Sequence, residues 1–245
     1  MDSTVFYIDA GAPALNFAAE YLRSHGMRVV SSPSPKVTHL LLPVPTSLSE
    51  ESLETLLAQL PPDVTVLGGN LDRYSCPCRK LDLLKDETYL AENAVITADC
   101  ALRLAGQHLG VLFRCCPVLV IGWGRIGKCL SGMLSALGAD VTVAARKESD
   151  RAMAGALGYG TAGLSGLPLP SFRLIFNTAP APVLSAQLLQ TCPKNCVKID
   201  LASSRGLEGD DVIWARGLPG KMLPESSGKL IADTVLRLIS REGSV

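Results

Sequence analysis

Apolar residues along this chain alternate between two rhythms. Short runs bounded by turn residues are set between longer stretches whose apolar positions recur three and four apart. The first run, residues 4–8, is apolar and β-branched. A helical stretch follows over 14–25, with Leu15, Ala18, Ala19 and Leu22 on one face and Gly26 as its stop. Further strands are predicted over 27–30, 37–42 and 64–67, and a helix over 49–60 that opens at a serine and stops at Pro61-Pro62. The order β-α-β-β-α-β suits a parallel sheet. Between the second and third strands there is no room for a crossover helix, so this half reads as a trimmed, smaller α/β domain.

Residues 71–90 carry no clear period until Leu81, Leu84 and Tyr89. Residues 92–99 then lead into a helical run over 100–109, for which Thr97 is the expected N-cap. The domain boundary is placed at residue 94, giving a substrate-side α/β domain over 1–94 and a second domain over 95–245. In that second domain the pattern predicts strands at 118–121, 141–144, 173–176, 197–201 and 212–215. Helices are predicted at 148–157 and 185–190, with a loop at 217–220. A closing helix over 225–241, bearing Leu230, Ile231, Thr234, Leu236 and Leu238, is assigned to the same domain.

The most informative stretch joins the first two of those strands. Strand 118–121 runs into Gly122, Gly124 and Gly127, spaced G-x-G-x-x-G. A helical segment follows, with Ile126, Leu130, Met133, Leu134 and Leu137 in phase and Gly138 at its end. In such a unit the first glycine allows the tight turn, the second lets a pyrophosphate approach the backbone, and the third lets helix and strand lie close. The helix N-terminus offers N–H groups and partial positive charge to the phosphates. Strand, glycines, helix and second strand stand in the order of a dinucleotide fingerprint, so the second domain is expected to be a doubly wound Rossmann sheet. Gly122, Trp123, Gly124, Arg125, Ile126 and Gly127 are its phosphate loop. The second strand ends in Ala145, Arg146 and Lys147, with no carboxylate to repel a 2′-phosphate. Arg146 and Lys147 could pair with one, which favours NADP over NAD.

Ligands of doubly wound sheets meet the loops at the carboxyl ends of strands. Four loops matter on that ground. Asp9 to Ala12 follows the first strand. Asn177, Thr178, Ala179 and Pro180 make a small-polar turn suited to the nicotinamide side of a cofactor. Residues 200–206 gather Asp200, Ser203 and Arg205, and residues 217–228 bring Lys221 to the start of the closing helix. Asp200, Ser203, Arg205 and Lys221 are the candidate catalytic and substrate-binding residues. Loop hydrogen bonding is the competing role for Asp200, and helix capping for Ser226 and Ser227. No Ser-His-Asp order or paired carboxylate points to a hydrolase.

Composition narrows the class. The 23 basic and 23 acidic side chains balance, which argues against nucleic acid or an anionic membrane as partner. No apolar run approaches the roughly 18 residues of a membrane span, and the N-terminus lacks a basic-then-apolar signal, so a cytoplasmic protein is expected. Eight cysteines with only three histidines form no paired metal knuckles; reduced thiols and no metal site are expected.

Those motifs together resemble the A subunit of bacterial dipicolinate synthase, the enzyme of spore formers. The matching residues are Glu92-Asn93-Ala94 with Ile96-Thr97-Ala98, then Gly122, Gly124-Arg125 and Gly127, then Ala145-Arg146. They continue with Asn177-Thr178 and Pro180, Asp200-Leu201-Ala202-Ser203, and Leu218-Pro219-Gly220 with Pro224 and Gly228. The resemblance covers residues 75–240 well and the first seventy loosely. It implies an NADP-dependent oxidoreductase acting on CH–CH donors, which converts dihydrodipicolinate to dipicolinate during sporulation. It further implies a dicarboxylate-binding site, a homo-oligomer, and partnership with a flavoprotein-like B subunit. Arg205 and Lys221 are the expected carboxylate ligands, with Asp200 or Ser203 orienting the substrate. The chain departs from the family pattern at Ser204-Arg205-Gly206-Leu207, at Asp9-Ala10-Gly11 and at Glu225. Those departures keep two alternatives in play: a non-catalytic or regulatory NADP(H)-binding subunit, and a two-domain dehydrogenase for another carboxylate.

Overall fold

The computed structural model describes residues 4–9 and 11–242. Met1, Asp2 and Ser3, where the signal was sought, and Ala10 of the Asp9 turn lie outside the described residues. The chain divides into two compact units. One comprises Met1–Asn93 with Pro219–Val245, the other Ala94–Leu218.

The first unit holds a five-stranded parallel sheet of β1 (Val5–Ile8), β2 (Arg28–Val30), β3 (His39–Leu41), β4 (Thr65–Gly68) and β5 (Lys80–Asp82), in the order β2-β1-β3-β4-β5. α1 (Pro13–Ser24) joins β1 to β2 and buries Ala14, Leu15, Ala18, Ala19 and Leu22, the face its spacing predicts. α2 (Glu50–Leu57) starts at Ser49, whose hydroxyl accepts from the Ser52 N–H at 3.1 Å. As expected, β2 passes to β3 without a helix. β5 was not foreseen: it is a three-residue edge strand with polar ends, too short to show a period.

Two expectations fail at the unit boundary. The helix anticipated over 100–109 is the second half of α3 (Glu87–His108), and Thr97 is mid-helix rather than a cap. The capping carboxylate is Asp86, whose Oδ1 accepts from the Tyr89 N–H at 2.8 Å. Asp86 also receives both terminal nitrogens of Arg237, at 2.7 and 3.0 Å. Arg237 belongs to the closing helix, written here as α8 (Pro224–Glu242), which lies in the first unit and not with the Rossmann sheet. The cause is close packing on α1: a Cβ on Gly228 would overlap the Ala14 carbonyl oxygen and come within 2.7 Å of Phe17 Cβ.

The Asp86–Arg237 pair should matter measurably. The guanidinium holds the Asp86 carboxyl below the usual carboxylate range, through its hydrogen bonds first, against a desolvation effect that raises it. A carboxylate depressed in the folded state stabilises above its unfolded pKa and loses that contribution as pH falls through the folded one. Arg237→Ala is expected to cost about 1.5–3 kcal/mol at neutral pH. The gap between variant and wild type should close in urea melts taken below the ordinary carboxylate range; a gap constant with pH would count against the pair.

The second unit is a six-stranded parallel sheet of β6 (Pro117–Ile121), β7 (Asp140–Ala144), β8 (Gly160–Ala162), β9 (Leu174–Asn177), β10 (Val197–Asp200) and β11 (Val212–Trp214). Its order, β11-β10-β9-β6-β7-β8, is the doubly wound Rossmann order. α4 (Arg125–Ala136) and α5 (Glu148–Ala156) cross over from β6 to β7 and from β7 to β8, and α6 (Ala186–Leu189) precedes β10. Edge strand β8, beginning at Gly160, was not foreseen either. Of the loop expected over 217–220, residues 218–220 belong to the short helix α7 (Leu218–Met222). Val118, Leu119, Val120, Ile121, Leu174, Ile175, Phe176 and Ile199 of the central strands are buried, as a sheet covered on both faces requires, and buried polar side chains there are Asn177 on β9 and Lys198 and Asp200 on β10. No helix among the described residues is long and apolar enough to cross a membrane, and no group of three metal-ligating side chains occurs among them.

Candidate functional site

Strand order reverses between β6 and β9, and that switch point is where an open α/β sheet leaves a crevice at its carboxyl edge. A cleft of about 460 Å³ lies there. Ile121, Gly122 and Trp123 form its floor, Ala144 to Lys147 and Asp150 one wall, and residues 179–183 with Leu164 the other.

The glycine loop is built as its spacing implies. Gly122 has φ +102°, and its N–H donates to the Ala144 carbonyl at 2.9 Å. A side chain there would collide with the Thr178 hydroxyl, and one at Gly127 with the Gly122 carbonyl. Gly124 is different. Its backbone is ordinary extended chain, and a Cβ there would meet no protein atom within 4 Å. Gly124 is exposed and the space over it is open. It faces the start of α4, whose first-turn N–H groups point outward and carry the positive end of the helix dipole.

Trp123 supplies a second sign of a ligand. It is 8% exposed, and its indole N–H has no hydrogen-bond partner among the described residues. Tyr159 meets its ring edge-on at 5.8 Å between centroids, and the Lys128 ammonium stands 5.9 Å from the ring centre. The residues present therefore fit a dinucleotide: an open glycine, a helix N-terminus, an unanswered donor and apolar walls.

Arg146 and Lys147 are exposed and line the cleft beyond β7. Arg151, which sequence reading missed, reaches under this turn and donates to the carbonyls of Ala145 and Arg146, both at 2.8 Å. It fixes the turn that presents Arg146. One signal was available: a cation near the N-terminus of a helix opposes the helix dipole and needs a local reason. Asp150, Leu164 and Val183 were also missed; they come from three separate segments, and only the fold brings them together.

The turn after β9 is shaped from within. Asn177 is fully buried, and its Nδ2 donates to Ala179 O at 3.0 Å and to Asp200 Oδ1 at 2.9 Å. Its Oδ1 accepts from the Ala179 N–H, and the Thr178 hydroxyl donates to Ile121 O at 2.9 Å. Asn177 and Thr178 thus turn inward, and of the four residues named for this turn only Ala179 and Pro180 line the cleft.

Asp200 is likewise not a free catalytic carboxylate. It is fully buried and accepts from Asn177, from the N–H of Ala202 at 3.0 Å, and from the N–H groups of Gly206 and Leu207 at 2.7 and 2.9 Å. Four donors use its lone pairs, so it organises the loop over 201–207. Ser203 stands exposed on that loop. Arg205 points elsewhere: it donates to Gly209 O at 2.7 Å and lines a separate cleft with Glu208, Asp210 and Asp211. Arg205 is therefore not among the residues that line the cleft at the glycine loop. Lys221 lies on α7, within the part of the chain that belongs to the first unit.

No family model matches the chain. It is 25% identical over 238 residues to the A subunit of dipicolinate synthase from Bacillus subtilis, covering 85% of this chain and 80% of that protein. The structure of the A subunit of dipicolinate synthase from Bacillus halodurans superposes with a TM-score of 0.82 at 22% identity, covering 96% of this chain and 97% of that one. A transhydrogenase from Sinorhizobium meliloti gives 0.76 at 15% identity, with 97% and 94% covered. The resemblance read from the motifs is upheld, and the fold is that of two-domain dehydrogenases.

Proposed function

We propose that this chain is an NADP-linked oxidoreductase of the dipicolinate synthase A type, converting dihydrodipicolinate to dipicolinate beside a flavoprotein-like B subunit. The observation that carries the cofactor half is the cleft at the switch point, lined by Gly122 and Trp123 of the glycine loop and by Arg146 and Lys147. A nicotinamide dinucleotide bound there supplies a hydride acceptor. The chain's own residues hold its phosphates through the α4 N-terminus, and Arg146 and Lys147 neutralise a 2′-phosphate. The substrate, a reduced pyridine dicarboxylate, loses a hydride and a proton, and the aromaticity gained drives the step. The protein's task is then mainly orientation. Ser203 is the residue of the second unit proposed for it. Homology to one component of a multi-component enzyme supports a partner.

The test starts with the cofactor. The chain has two tryptophans, and Trp123 lies in the glycine loop. Quenching of tryptophan emission by NADPH should show binding at least about tenfold tighter than NADH, a difference of about 1.4 kcal/mol, and Arg146→Asp should erase the preference. Equal affinities would reduce Arg146 to surface charge. Failure of both nucleotides to bind would end the dehydrogenase reading. With binding in hand, dihydrodipicolinate is assayed for dipicolinate absorbance with and without the B component. No rate above the spontaneous one would favour the regulatory alternative.

A further inference from the structure

The pair Cys76 and Cys78 lies outside the cofactor cleft. The two are separated by Pro77 in the segment between β4 and β5. Both are half-exposed. Two residues of chain span at most about 7 Å, so their backbone positions fall inside or close to the window a disulfide requires.

We propose that Cys76 and Cys78 form a dithiol–disulfide exchange site that reacts with small disulfides of the glutathione class. A metal fits less well, because no third ligating side chain joins the two sulfurs among the described residues, and zinc needs four ligands. A disulfide fits the surroundings. Cys78 packs against the apolar cluster of Val37, Leu53, Val66 and Tyr74, where two thiolates would be poorly solvated and a neutral bridge is not. Burial, and then the neighbouring Cys76 thiol, push the Cys78 thiol up to about 12. Cys78, held against that cluster, keeps its proton more firmly than an ordinary thiol, so the attack is assigned to Cys76. Its thiolate displaces one glutathione thiolate from oxidised glutathione, giving a mixed disulfide. Cys78 then loses its proton and displaces the second glutathione, closing the Cys76–Cys78 bond. Two protein thiols are oxidised and one glutathione disulfide is reduced to two glutathione thiols.

The bridge would fix a turn already tied to α2: the Tyr74 hydroxyl donates to Leu48 O at 2.8 Å, and the Ser75 N–H to Glu50 Oε1 at 2.9 Å. The other close pair is an internal control. Cys192 and Cys196 are 9% and 6% exposed inside the core of the second unit, out of reach of a tripeptide disulfide.

The experiment equilibrates the full chain in mixtures of oxidised and reduced glutathione, alkylates the remaining thiols and digests with trypsin. Cleavage after Arg73 and Arg79 releases residues 74–79, which hold both cysteines and no others. That peptide is expected two hydrogens lighter and unalkylated, reverting with dithiothreitol. Its oxidised fraction should exceed that of the peptides carrying Cys192 and Cys196 by about tenfold or more. In Cys76→Ser, Cys78 should stay alkylatable. A peptide that remains doubly alkylated, or that collects glutathione adducts without closing, overturns the proposal, and the wild-type measurement does not depend on any variant folding.

Discussion

Asp200→Ala is expected to cost about 3–5 kcal/mol of stability, the range for removing one partner of a buried, charged hydrogen-bond network. The carboxylate is fully buried and answers the N–H groups of Ala202, Gly206 and Leu207 together with the Asn177 amide. Alanine orphans all four donors at once. Asp200→Asn keeps the shape but turns a second donor toward the Gly206 and Leu207 N–H groups, so it should recover only part of the loss. Urea unfolding of the full chain reads both variants. A cost under about 1 kcal/mol, with NADPH binding abolished, would return Asp200 to the substrate and cofactor chemistry from which its hydrogen bonds remove it.

Gly127→Val should destroy dinucleotide binding through the fold, and Gly124→Ala should do so without touching the fold. A side chain at Gly127 overlaps the Gly122 carbonyl, so α4 must move off β6 and the phosphate loop opens. Overpacking of this kind costs about 1–3 kcal/mol, and more where backbone is the obstacle. At Gly124 a methyl group meets nothing in the protein, so stability should hold to within about 0.5 kcal/mol. That methyl occupies the space proposed for the pyrophosphate, and NADPH should bind at least about tenfold more weakly. Gly124→Ala binding NADPH as tightly as wild type would mean that the dinucleotide does not cross the loop at this glycine.

The contrast between these two glycines shows what kind of information the chain carried openly. β6, the glycine loop, α4 and β7 are contiguous, and each step depends on neighbours only a few residues away, so spacing alone specified them. The same holds for the buried face of α1 and for the central strands, whose apolar runs reflect cover on both sides of a sheet. Edge strands β5 and β8 escaped notice because three residues with a single strand neighbour need no distinctive pattern. α3 was halved because the sparse pattern Leu81, Leu84 and Tyr89 around its capping residue, Asp86, runs from β5 into the helix and marks no single helix start.

The candidate site divides along the same line. Its floor and its Arg146-Lys147 wall are local and were legible. Whether Asn177, Asp200 and Arg205 face a ligand depends on which way each side chain turns, and the sequence lists only their chemistry. Tertiary structure turned Asn177 and Asp200 toward each other, sent Arg205 to an acidic cleft, and placed Arg151 beneath the turn that holds Arg146. It also decided the partner of α8: the apolar stripe from Leu230 onward determined that this helix packs against something, and the contact of Gly228 with Ala14 determined that it packs on α1. A periodic stripe encodes burial, which is a property of one segment. The choice of neighbour is a property of two, and it is set only when the chain closes on itself.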